Sequence, residues 1–302
     1  MTIPEHTKAF LDEAAKFPPL HRLTPEEIRK AVIATAISET YDLASTETLA
    51  LNGPHGPLAA RLYRPSNESS LPVILFFHGG GFVFTTMEQY DPMCSKLAAV
   101  SDCAVLSVDY RLSPENPFPV PVEEALFAAA WLGKHAESLD LDPMRIIVSG
   151  ESVGANLAAI VAQRTGKNGV PNIAYQILLC PLTDWFSEYE AKETYGTGYF
   201  LTKALLDYCA GHYLGEWNRK APLASPLFGE TIGLAPALVV SAEYDPLRDE
   251  GERYAYKMIE NGVNVTLKRY SGMIHLFYAM TDVFPEGDDV YDLIRRQLRT
   301  LH

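Results

Sequence analysis

The chain has 302 residues, 47% hydrophobic and 21% charged, so it can bury a full core and has an ordinary globular composition. A formal net charge of −13 with no run of Lys or Arg argues against a phosphate-backbone binder, which would concentrate basic charge, and nucleic acid is not an expected partner. The longest apolar runs, such as 73–77, are far too short to span a bilayer, and the opening MTIPEHTKAFLDEAAKF interrupts its apolar positions with charges where a secretory signal needs a continuous apolar stretch.

These features predict a cytoplasmic protein of one large domain with no membrane span. The four cysteines, Cys94, Cys103, Cys180 and Cys209, are widely spaced with no CxxC and no nearby His pair. That spacing predicts neither a zinc site nor a disulfide framework, and no metal is expected.

In chain order, residues 1–40 read as helices, with Thr24-Pro25-Glu26-Glu27 resembling an N-cap followed by proline at the first helical position. Residues 47–51 and 58–64 flank Gly53, Pro54 and Gly56, which predicts an antiparallel hairpin. From about residue 72 onward, β-branched runs at 73–77, 104–110, 146–149, 173–179, 237–242 and 265–270 alternate with amphipathic stretches such as 121–138 and 249–261. This alternation predicts an α/β fold, a mostly parallel central sheet with helices on both faces and an antiparallel edge. Residues 185–222 break the alternation and are rich in aromatics, among them Trp185, Phe186, Tyr189, Tyr195, Tyr199, Phe200, Tyr208 and Tyr213. An insertion after the C-terminal end of a strand lies above the active-site edge of such a sheet. The expected organisation is therefore a core of 41–184 and 223–302 with a helical cap made of 1–40 and 185–222.

The run 145–149 leads into Gly150-Glu151-Ser152-Val153-Gly154 and then a helix-forming segment, a GxSxG in strand-turn-helix context. The flanking glycines allow a sharp turn that exposes the Ser152 hydroxyl at a helix N-terminus, as a nucleophile requires. The run 73–77 ends in His78-Gly79-Gly80-Gly81-Phe82, whose consecutive glycines can turn backbone N–H groups into one cavity to receive an oxyanion. Gly80 and Gly81, with the N–H of Val153 after the nucleophile, are the candidates for that hole.

A serine hydroxyl needs a base, and a serine in this setting is followed by its acid and then its histidine. Of the eight histidines, His212, His275 and His302 follow Ser152. His302 is terminal and His212 lies in the expected cap, whereas His275 follows a turn, Ser271-Gly272-Met273-Ile274, just after a strand. Among the acids after 237–242, Asp245 beside Pro246 is preferred, with Asp249 as the fallback because it and Glu250 should open the next helix.

These residues resemble the hormone-sensitive-lipase-like esterases of the α/β-hydrolases. The resemblance rests on HGGGF at 78–82, the block from Asp109 to Glu115 with Pro117-Phe118-Pro119, GESVG at 150–154, DPLRDEG at 245–251 and Gly272 to His275. It covers nearly the whole chain and implies the α/β-hydrolase fold, a triad of Ser152, Asp245 and His275, an oxyanion hole of Gly80, Gly81 and Val153, and no cofactor. It further implies a small-molecule ester substrate with a short to medium acyl chain, and a possible homodimer through the edge strand at 265–270. Arg111 and Glu115 are expected to form a structural ion pair.

The chain departs from the family's usual pattern at Glu151, Val153, Ala155 and Leu276, changes that bear on pocket shape. Phe82, Phe200, Leu205 and Leu276 are the candidate pocket residues. Two other readings stand beside the esterase: an amide or peptide hydrolase with the same triad, and a non-catalytic small-molecule receptor on the same fold.

Overall fold

Eight strands form one sheet in the order β1-β2-β4-β3-β5-β6-β7-β8 in a computed structural model that describes residues 3–34, 41–167 and 169–299. They are β1 Ser45–Gly53, β2 Gly56–Arg64, β3 Leu71–Phe77, β4 Ala104–Val108, β5 Leu141–Glu151, β6 Tyr175–Leu179, β7 Ala237–Tyr244 and β8 Val265–Ile274. β1 and β2 make the expected hairpin, and β2 runs antiparallel to β4. The remaining pairs are parallel, so the sheet is mixed only at one edge.

Strands β3, β4 and β6 are buried at every position, which is why they read as continuous apolar runs rather than as alternations. Alternate residues still serve opposite faces. Val73, Leu75 and Phe77 join Leu106 and Val148 in one core layer, beneath helices α4 (Val120–His135), α5 (Val153–Ala162) and α8 (Arg248–Glu260). Ile74 and Phe76 join Ile147 and Ile177 in the other, with α3 (Asp91–Ser101) and α9 (Glu286–Leu298).

The N-terminal helices are α1 (Glu5–Ala14) and α2 (Pro25–Ala34); the expected helical segment continues to residue 40, but 35–40 lie outside the described residues. Thr24 and Glu27 form a reciprocal capping box at α2, with Thr24 N donating to Glu27 Oε2 at 2.8 Å and Glu27 N donating to Thr24 Oγ1 at 3.3 Å. The inserted stretch contributes α6 (Glu190–Tyr195) and α7 (Lys203–Tyr213). It touches the N-terminal part twice: the Tyr208 hydroxyl donates to Leu23 O at 3.0 Å, and the Phe10 and Phe200 rings meet edge to face at 5.5 Å. None of the described helices is long and apolar enough to cross a membrane.

A buried ion pair fastens the insertion to the sheet domain. Lys192 Nζ on α6 lies 2.7 Å from Glu250 Oε2 on α8, and the other Glu250 oxygen accepts from Thr183 N at 2.8 Å and Asp184 N at 3.1 Å. Burial pushes the Glu250 carboxyl up to about 7 in spite of Lys192. Lys192→Ala would strand the carboxylate without its counter-charge, an expected loss of about 3–5 kcal/mol in a urea unfolding measurement at pH 8. Because a protonated Glu250 needs no counter-charge, that loss should shrink as the pH falls toward 5.

Candidate active site

Ser152 joins β5 to α5 with φ 56° and ψ −118°, a left-handed conformation that turns the chain sharply out of the sheet. Both glycines of GxSxG are required by close backbone approach. A Cβ on Gly150 would lie 2.2 Å from the Gly154 carbonyl carbon, and one on Gly154 would lie 2.0 Å from Phe77 O. The second contact sets the nucleophile's helix directly against the end of β3, where the HGGG loop begins. Ser152 N donates to Leu179 O at 2.9 Å, tying the turn to β6 as well.

His275 follows β8 immediately. The segment read as a turn at 271–274 is strand: Ile274 pairs with Tyr244 after a register shift, and Gly272 takes the irregularity with φ +78°. His275 Nδ1 donates to Asp245 Oδ2 at 2.7 Å, and both side chains are buried. Asp245 Oδ1 accepts from Leu247 N at 2.8 Å. Asp249 looks elsewhere: its Oδ2 accepts from Ala191 N at 2.9 Å and its Oδ1 from Arg248 Nε at 2.8 Å. Geometry thus separates the two acids that the sequence left in competition, and brings Asp245 to the histidine. His302 lies outside the described residues.

Two further groups reach His275. Glu151 Oε1 is 3.1 Å from Nε2, and the thiol of Cys180, the first residue after β6, lies within 4.8 Å of a ring nitrogen. Burial alone would lower the basicity of His275, but Asp245 foremost, with Cys180 and Glu151, holds it well above the ordinary imidazole value. Burial pushes the Cys180 thiol up to about 11, so it stays protonated. Cys180, Asp245 and His275 present atoms of metal-ligand type within 4.8 Å of one another. With the thiol protonated and the imidazole already bonded to the carboxylate, these donors are committed to each other. The Ser152 hydroxyl forms no hydrogen bond among the described residues.

The HGGG loop is held from beneath. The Tyr110 hydroxyl donates to His78 O at 2.6 Å, its ring stacks on the His78 imidazole at 4.2 Å, and Thr85 Oγ1 donates to Gly79 O at 2.7 Å. Burial lowers His78 to about 4, so it remains a neutral packing group. Gly80 and Gly81 take left-handed φ values of +92° and +63°, and the Gly80 carbonyl accepts from Val83 N and Phe84 N at 3.0 and 2.9 Å. Neither the Gly80 nor the Gly81 N–H donates a hydrogen bond among the described residues. Val153 opens α5, in the first turn where N–H groups lack helical acceptors.

The expected Arg111–Glu115 pair is not formed. Arg111 pairs with the buried Glu124 of α4, whose Oε2 also accepts from Arg111 N at 2.7 Å. Glu115 is instead gripped by both terminal nitrogens of Arg29 at 2.8 Å, while Arg29 Nε donates to Val83 O at 2.8 Å. The block supports the HGGG loop, but through residues distant in sequence. That cross-connection to α2 has no local sequence signal.

The four candidate pocket residues do not converge on one cavity. Phe82 is fully buried and stacks on Tyr213 at 3.9 Å, and Leu205 is buried in the same core layer. Phe200 is 40% exposed on the outer side against Phe10, and Leu276 packs into the opposite layer. A cavity at the insertion has a mixed wall, with Leu182, Trp185 and Leu247 beside Asp184, Lys192 and Arg219. Leu276 has φ +67°, a conformation more natural to glycine. Glu151 and Cys180 were the contacts missed. Glu151 stood out in the sequence as a departure from the motif, whereas the signal for Cys180 was its position just after a buried strand.

Residues 74–279 match the family model described as the α/β hydrolase fold. The carboxylic ester hydrolase LipN of Mycobacterium tuberculosis is 38% identical over 237 residues, 76% of this chain and 63% of LipN. The ethyl acetate hydrolase of Pseudomonas putida is 34% identical over 91% of this chain and 90% of its own. Among solved structures, the ester hydrolase EH1AB1 from the metagenome of Lake Arreo, bound to a bipyridine phosphonate derivative, superposes with a TM-score of 0.94 at 35% identity, covering 98% of each chain. The chain belongs to the α/β-hydrolase-fold family, among its hormone-sensitive-lipase-like carboxylic ester hydrolases.

Proposed function

We propose that the protein hydrolyses esters of short to medium acyl chains through Ser152, His275 and Asp245, with Gly80, Gly81 and Val153 as the oxyanion hole. The observation that carries this reading is the 2.7 Å bond from His275 Nδ1 to the buried Asp245, at the strand ends where Ser152 also emerges. Asp245 fixes the tautomer, leaving Nε2 to accept the serine proton as Oγ attacks the ester carbonyl. The carbonyl oxygen then becomes an oxyanion, and the N–H groups of the HGGG loop and of the first turn of α5 receive it. His275 returns its proton to the departing alcohol, and water, activated by the same imidazole, releases the acid from Ser152. Without substrate the serine–histidine hydrogen bond need not be formed, since such bonds tighten in the complex.

The two helical parts, 1–40 and 185–222, serve as a cap. Supporting this, Phe82, Trp185 and Tyr213 form an aromatic group at the insertion. An acyl site walled by this aromatic group would favour short acyl chains, because each methylene beyond its reach stays in water. Turnover of p-nitrophenyl esters should peak at acyl chains of about two to eight carbons. A maximum at twelve carbons or more would refute the short-chain reading. The receptor reading is disfavoured by an intact histidine–aspartate pair, and the amide reading is decided by matched ester and amide substrates.

A further inference from the structure

His275 is held between two carboxylates. Asp245 takes Nδ1 at 2.7 Å and Glu151 takes Nε2 at 3.1 Å, and Glu151 and His275 are only 1% and 5% exposed. Of the two contacts only the one to Asp245 has hydrogen-bond geometry; the Glu151 oxygen is a close, buried polar neighbour of Nε2. In this arrangement Nε2 faces the Glu151 carboxyl, and the Ser152 hydroxyl makes no hydrogen bond to it among the described residues.

The Glu151 carboxylate is itself fixed. Its Oε2 accepts from the Tyr90 hydroxyl at 2.6 Å, and its Oε1 from Tyr278 at 3.4 Å. A Cβ on Gly79 would fall 1.8 Å from Oε2, so the carboxylate also lies against the first glycine of the loop. The groups facing the pair are Asp245 after β7, Cys180 after β6, Tyr90 before α3, Tyr110 after β4 and Tyr278 after His275. Burial raises Tyr90, Tyr110 and Tyr278 well above the phenol value and Cys180 to about 11, so these four are neutral near pH 7.

From this geometry we infer that Glu151 is a positioning residue that parks His275 off the nucleophile in the free enzyme and sets the pH at which the base becomes available. Substrate entry must break the Nε2–Glu151 contact, and any proton held on Nε2 must leave, before that nitrogen can accept from Ser152. The inference rests on the triad reading of the proposed function.

The test is the pH profile of the Glu151→Gln enzyme, with Glu151→Asp beside it. Removing the charge lowers the basicity of His275, so the acid limb of kcat/KM should move about one pH unit downward, roughly tenfold more activity relative to the plateau at a pH on the limb. The limb of kcat should move less, because it reports the substrate complex, where the contact is already broken. Glu151→Asp keeps the charge but withdraws it, and its limb should lie between the two. A uniform fall in rate with both limbs unmoved would overturn the inference and leave Glu151 as a prop beneath Gly79. Should Glu151→Gln fail to fold, an unmoved kcat/KM limb in Glu151→Asp overturns it equally. Failure of the triad reading would be distinguishable, since Ser152→Ala would then retain turnover whatever the Glu151 variants do.

Discussion

Ser152→Ala should lower kcat for p-nitrophenyl butyrate by about 10⁴–10⁶-fold while leaving the fold intact. The size follows from chemistry: without Oγ there is no acyl-enzyme, and only the oxyanion donors and binding remain to assist attack by water. The intact fold follows from structure, since the hydroxyl forms no hydrogen bond among the described residues and its loss orphans no partner. The backbone of the turn is held independently, by Ser152 N on Leu179 O and by Asn156 N and Leu182 N on Ser152 O. The variant should therefore unfold within about 0.5 kcal/mol of wild type and should lose labelling by a fluorophosphonate probe. Near-normal turnover, or labelling that persists, would remove Ser152 from the mechanism.

Much of this arrangement could be read from the sequence because the residues involved answer to local rules. GxSxG and HGGG need their glycines for close backbone approach and for left-handed φ, demands that mark the sequence wherever the site occurs. The six parallel strands announced themselves as apolar runs because most are buried on both faces. Legibility failed where a contact joins distant segments. Arg29 on Glu115 spans 86 positions, and Arg111 prefers Glu124 because a helical carboxylate with no exposure needs a cation more than an exposed one does. The candidate pocket residues lie apart for a related reason: Phe82, after the HGGG run, packs on Tyr213 of the insertion, whereas Phe200 of the insertion packs on Phe10. Glu151 was legible as a departure from a motif, yet its reach to Nε2 depends on where β8 delivers His275. That delivery rests on the register shift opposite Tyr244.

The acid is where geometry adds most to the sequence, and it supports a sharp ranking: Asp245→Asn should lower kcat by about 10⁴-fold, and Asp249→Asn by no more than a few-fold. In the first variant Leu247 N still requires an acceptor, so the amide oxygen should occupy the Oδ1 place and the amide nitrogen the Oδ2 place, facing His275. An amide nitrogen donates, which obliges Nδ1 to accept and puts the ring's single proton on Nε2. A histidine in that tautomer cannot take the proton of Ser152. Loss of the Asp245 charge also lowers the basicity of His275, so whatever activity remains should persist to lower pH than in wild type. Asp249→Asn gives up only a charge-assisted bond to Arg248 and keeps an oxygen for Ala191 N, so it should show as about 1 kcal/mol of lost stability with the pH profile unchanged. Steady-state rates of the two variants across pH 5–9 separate these outcomes, and the reverse ranking would transfer the acid's role to Asp249.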